Sequence, residues 1–245
     1  MIVILASRDD TMASTLRRCW PALDVKLLTP QDLSRRGWCY RPDEVCSSTV
    51  SIEGEVVGMR EIHGVLTRLA GVPEQDLGHI VATDRTYVAA EMTAFLLAWL
   101  VSMPCPVLNR PTPACLSGSN WRPEQWTHAA ARVGIPVSPV RRRECFGTSH
   151  VPAAPATHGA TVTVVGQRCF GAGHETLGLQ ARRLAAAAGV ELLAVDFSSP
   201  ERGASFVGAH SFPDVTAKEV SQAVIDYFQE EVGHAQPAHH PGAPW

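Results

Sequence analysis

The chain has 245 residues, 45% of them hydrophobic and 18% charged, and carries a net charge of −3 at pH 7. This length supports a large core in one or two domains, and the composition is that of a water-soluble globule. The slightly acidic balance excludes a general attraction to nucleic acid or to anionic membranes, so neither is expected as a partner.

Met1 to Ser7 is an apolar run with no basic segment before it. It reads as a buried first strand and not as a signal segment, which predicts a cytoplasmic protein. Asp9 or Asp10 can cap a helix running to about Trp20, and a second strand follows from Asp24 to Pro30. This order predicts a doubly wound α/β unit. Ser48 to Val57 alternates around Glu53-Gly54, a hairpin signal. Val65-Leu66-Thr67-Arg68-Leu69 is a strand ending in arginine, and Gly71 to Thr83 reads as a loop. Asp84 is then expected to cap a long helix to Met103. Residues 88–103 are apolar but contain Glu91 and fall short of the roughly 20 residues a membrane span needs, which predicts a buried crossover helix.

Pro106 to Pro111 reads as a return to the sheet, and Thr112 to Arg122 as a loop holding Cys115 and Trp121. A helix is expected over Glu124 to Val133. The run Arg141-Arg142-Arg143 is either a solvated loop or a contact for an anion or partner. Val151 to Gly159, rich in Pro, Ala and His, reads as a mobile connector. Val162 to Phe170 reads as a late hairpin, Gln180 to Gly189 as a helix, and the stretches ending at Phe197 and His210 as two core strands. Residues 216–232 form an amphipathic helix capped by Thr216, with Val220, Val224, Ile225, Phe228 and Val232 on one face. The tail from His234 to Trp245 reads as poorly ordered. The seven cysteines include no Cys-x-x-Cys pair and are odd in number, which fits free thiols better than a disulfide framework.

Taken in order, these pieces resemble the ATP-grasp ligases of the ribosomal-protein S6 modification and glutathione synthetase groups. The matching stretches are the opening strand and helix, Val65 to Leu69, Asn109-Arg110-Pro111, Gly134-Ile135-Pro136, Val164-Val165-Gly166 and the two last strands. The resemblance implies an α/β protein: a Rossmann-like domain over 1–110, a shortened ATP-grasp-like α+β half over 111–233, and a flexible Pro/His tail over 234–245. It departs from the family pattern twice. The family's first metal ligand is kept as Asp196. The Glu-x-Asn pair expected 12 and 14 residues later is Gly208 and His210. Only 25 residues separate Pro136 from Val162, too few for the family's nucleotide lid, and the chain's only lysines are Lys26 and Lys218. Neither lies where a phosphate lysine belongs, and arginine is not its equivalent.

Several side chains are candidates for a site. By the resemblance, Arg68, Asn109 and Arg110 lie at strand ends facing the cleft, where they either grip a carboxylate or peptide or form structural ion pairs. Arg168 lies in the late hairpin. Asp196 and His210 lie on neighbouring strands. They form either a hydrogen-bonded pair or, with His174 as third ligand, a transition-metal site for zinc or iron. One carboxylate and one imidazole are a poor cage for magnesium, so ATP with magnesium is not expected as cofactor. His234, His239 and His240 offer weak metal binding in the tail, and Trp245 offers an aromatic anchor. Cys115 is the best nucleophile candidate, with an inert thiol as the alternative. Trp38, Tyr40, Trp121 and Trp126 either build an interaction surface or cover the core. The expected function is a non-catalytic subunit that binds a protein or peptide partner, as a monomer or homodimer, in a peptide-modifying or natural-product pathway. The alternative is an enzyme, either a minimal ATP-dependent carboxylate–amine ligase or a His/Asp metal enzyme in the old cleft.

Overall fold

A computed structural model describes residues 1–138 and 159–234. Arg141 to Arg143, most of the Val151–Gly159 stretch, His239, His240 and Trp245 lie outside the described residues.

The first half is built on a parallel sheet. Strand β1 (Ile2–Leu5) pairs with β2 (Val25–Leu28) on one side and with β5 (Gly64–Thr67) on the other. Strand β6 (Val107–Leu108) extends the sheet, for an order β2-β1-β5-β6. Helix α1 (Thr11–Cys19) covers one face through Ala13 and Leu16. Its N terminus is capped by Asp10, whose Oδ1 accepts the N–H groups of Met12 and Ala13 at 2.9 and 3.0 Å. Helix α2 (Arg85–Ser102) packs Leu96, Trp99 and Leu100 on the opposite face. The hairpin of β3 (Thr49–Ile52) and β4 (Glu55–Gly58) turns through Glu53 and Gly54, both at positive φ, the geometry a two-residue hairpin requires.

Three expectations need correcting here. Asp84 does not cap α2 with its side chain, because its carboxylate accepts the Thr83 hydroxyl instead. Helix α2 is not buried all round: Tyr87 and Val101 are exposed. No helix among the described residues is long and apolar enough to cross a membrane. The third correction concerns the last helix, whose first backbone bond is accepted by Ala217 and not by Thr216. Thr216 is held back by Asp214, which accepts both its hydroxyl and its N–H.

The second half is an antiparallel sheet. Its strands are β7 (Ala160–Val165), β8 (Arg168–Phe170), β9 (Leu192–Phe197) and β10 (Phe206–His210), in the order β10-β9-β7-β8. Alternation gives the sheet two unlike faces. Val162, Val164, Leu193, Val195 and Phe197 point one way, into a core shared with α3 (Pro123–Arg132) and α4 (Glu175–Ala188). Helix α4 begins five residues before the expected Gln180 because His174 caps it, and it ends at Gly189 in the left-handed conformation. On the other face, Val165 and Leu192 meet Val220, Val224 and Phe228 of α5 (Lys218–His234). The same cluster takes in Ile2, Ile4 and Leu66, so α5 joins the two sheets. The indole of Trp20 donates to Ser221 Oγ at 2.6 Å across this seam.

One side chain ties the sheets directly. Asn109, 1% exposed, follows β6. Its Oδ1 accepts the N–H groups of Glu191 (2.9 Å) and Leu192 (2.7 Å), and its Nδ2 donates to the carbonyls of Leu192 (2.8 Å) and Ser117 (3.3 Å). Stranding a buried polar group costs about 1–3 kcal/mol. Asn109→Ala strands several at once, and urea unfolding is expected to show a loss of about 3 kcal/mol or more. A loss under about 1 kcal/mol would mean the clamp is dispensable.

Candidate functional site

The α5 helix covers only part of its sheet face. The remainder carries Thr161, Asp196, Gly208 and His210, which the ladder registers place on one side together with the buried Thr163 and with Phe170, packed against the α5 cluster. Asp196 sits opposite Thr161 on one neighbour and Gly208 on the other. Its Oδ1 accepts the Thr161 hydroxyl at 2.6 Å. A β-bulge at Val207 precedes Gly208 and keeps this pairing in phase. A Cβ built on Gly208 would meet only Asp196 Oδ2, at 3.8 Å, so the space beside the carboxylate is open. His210 pairs with Ala194, two residues along from Asp196. It is exposed, and its Nδ1 accepts the Phe212 N–H at 3.3 Å.

The candidates do not converge. His174 caps α4, with Nδ1 accepting the Thr176 N–H at 3.2 Å, and is committed there. Among the described residues no group of three or more His, Cys, Asp or Glu side chains is placed to hold a metal. Asp196 has a glycine and not a second acid opposite it on β10, so a metal held on a nucleotide would have one carboxylate from this pair and take its other oxygens from phosphates and water. Arg168 is drawn to the far end, where it pairs with Asp226 and, at 2.7 Å, with Glu230 of α5. Lys26 is paired with Glu55. Asn109 is the buried clamp described above, and Arg110 is exposed.

Arg68 forms an ion pair with Asp10 (Nε to Oδ2, 2.7 Å), both side chains mostly buried. The same carboxylate that caps α1 therefore holds Arg68. The charge of Arg68 also reaches Asp214, whose carboxyl lies below the usual range, mainly through the hydroxyl and N–H of Thr216 and less through Arg68.

The aromatic loops cover the core. Trp38 and Tyr40 pack edge-on against Phe95 of α2, and Trp121 lies against the buried Trp126. Cys115 is buried, with Ser117 Oγ as its nearest polar partner at 3.8 Å. The residues not singled out beforehand are Thr161, Thr163 and Phe170. The signal for the threonines was their alternation with valines in Ala160–Val165, which puts hydroxyls on the face opposite the apolar core.

The assembled fold matches solved ATP-grasp structures. The macrocyclase MdnC from Microcystis aeruginosa MRC, bound with precursor peptide MdnA, aligns with TM-score 0.66 and 13% identity over 94% of this chain and 100% of its own. The ATP-grasp ligase PsnB, complexed with minimal precursor, Mg and ADP, aligns at 0.63 and 12% over 93% and 98%. A RimK domain ATP-grasp protein from Sphaerobacter thermophilus DSM 20745 aligns at 0.51 and 15% over 93% and 99%. No protein-family model matches the chain, and no curated protein matches it in sequence.

Burial also pushes the Cys105 thiol up, from about 9 to about 12. The unfolded thiol ionises near pH 9 while the folded one keeps its proton. Stability is therefore expected to fall as pH rises from about 9 to about 12. Urea unfolding across that range should show a shallower fall in Cys105→Ala, and equal slopes in the two proteins would contradict the assignment.

Proposed function

From the premise that the chain has an ATP-grasp-like fold, we propose that it is a non-catalytic, peptide-binding subunit of a peptide-modifying or natural-product pathway. The observation that carries this reading is Asp196 standing beside Gly208, with Thr161 as its hydrogen-bond partner. A nucleotide metal needs a cluster of oxygens, whereas a peptide needs hydroxyls, an isolated carboxylate and an aromatic wall. Thr161, Asp196 and the half-buried Phe170 provide the latter.

In this reading residues 1–110 form a Rossmann-like domain and 111–233 an ATP-grasp-like core without its nucleotide lid. Residues 234–245 are a tail, and the protein works in the cytoplasm. The MdnC and PsnB structures hold precursor peptides, and we carry that class of ligand over to the open face. Asp196, Gly208 and His210 line the peptide's path. Arg68, tied to Asp10, frames it and does not grip a carboxylate by itself.

The test is fluorescence anisotropy with labelled short peptides encoded beside the gene. Gly208 has a backbone that accepts a side chain and free space above it, so Gly208→Phe fills the face without disturbing the fold. One encoded peptide is expected to bind, at least tenfold more weakly to Gly208→Phe, with the melting temperature unchanged. No binding by any of these peptides, binding indifferent to Gly208→Phe, or ATP-dependent conversion of the peptide would each contradict the proposal.

A further inference from the structure

A second concavity, of about 440 Å³, lies against the α4 side of β8, away from the Asp196 face. Its apolar walls are Val162 and Leu179, the latter 47% exposed. Gly178 of α4 also lines it. A glycine inside a helix forgoes helix propensity, and here any side chain would occupy the cavity and press on Cys169, 3.3 Å from the added Cβ. The Cys169 thiol donates to the Gly178 carbonyl and is pushed up by burial, so it adds no negative charge.

Arg182 gives the cavity its chemistry. It is half-buried, and its Nη1 donates to the Gln167 carbonyl at 3.2 Å. Its remaining N–H groups have no acceptor among the described residues, and no described carboxylate lies within ion-pair distance. Among the described residues Arg182 has no acid partner and, unlike its exposed neighbour Arg183, is half-buried against the cavity. A guanidinium is always charged and matches a carboxylate with two parallel N–H bonds.

The other end is polar and differently charged. His174 lies eight residues before Arg182, about 12 Å along the helix axis at 1.5 Å per residue. Because its Nδ1 accepts the Thr176 N–H, the neutral ring carries its proton on Nε2 and keeps a free donor. Glu175 lines the same end and repels a second carboxylate there.

We propose that this cavity binds one carboxylate carried on an apolar body with an amide beyond it. Arg182 takes the carboxylate, and Leu179 and Val162 pack the apolar body. His174 donates from Nε2 to the amide carbonyl. A peptide's carboxyl terminus and a free small carboxylic acid share the carboxylate and the apolar body. The site is independent of the peptide path over Asp196.

Calorimetric titration of the full chain tests it, using N-acetyl-Ala-Ala-Leu, the same peptide with an amidated C terminus, and isocaproate. The free-acid peptide is expected to bind, with the amidated form and Arg182→Gln each at least tenfold weaker. Arg183→Gln, an exposed neighbour, and Gly208→Phe should leave it unchanged, which separates this site from the open face. Tighter binding of the peptide than of isocaproate identifies a peptide terminus as the natural ligand, and the reverse identifies a small acid. Equal binding of the amidated peptide, indifference to Arg182→Gln, or no binding at millimolar concentration would overturn the proposal.

Discussion

The structure depends on the way Asn109 closes the gap between two sheets of opposite character. The parallel sheet ends at β6, β9 lies inside the antiparallel sheet between β10 and β7, and among the described residues no ladder joins the two sheets. The Asn109 amide supplies both a donor and acceptors in one plane, as a strand edge would, and bonds the backbone of Glu191 and Leu192 from both sides. In a water-free interior each such bond is strong and each missing partner is costly. The start of β9 is thereby held against the end of β6. Asp196 lies four residues further along that strand, so its position follows from the same clamp.

The second constraint is the unequal cover of the antiparallel sheet. Its α3–α4 face is apolar throughout. Its other face is apolar only where α5 lies, and changes to threonine, aspartate, glycine and histidine beyond it. An antiparallel sheet commonly leaves one face to water, and the polar side chains of this one stay accessible there. Among the described residues Asp196 belongs to no cluster of three or more acidic, histidine or cysteine side chains. Its remaining groups suit hydrogen bonding to a chain laid across it, which is why recognition is the function proposed for it.

Much of the fold was legible because the signals were local. Glu53-Gly54 announced its turn through the two positive φ angles such a hairpin needs, and Asp10 announced a helix start. The resemblance placed the Asp196 and His210 strands side by side, as the ladder does, while the bulge before Gly208 had no mark in the sequence. The failures were tertiary. Asn109 and Arg168 read as cleft residues, yet their partners lie 82 and 58 residues away in sequence and no local pattern marks them. Thr216 read as a cap because the sequence does not show that Asp214 captures it first. Arg182 escaped notice because an arginine on a helix usually faces water. Its only sequence sign was a glycine four residues earlier on the same helical face.

In the proposed function the open face does not serve a nucleotide. Isothermal titration of the purified chain with ATP and magnesium measures this directly, with Asp196→Ala as the comparison. No saturable binding to either protein is expected up to millimolar nucleotide. Saturable binding to the unaltered chain that disappears in Asp196→Ala would contradict it and return the protein to the ligases.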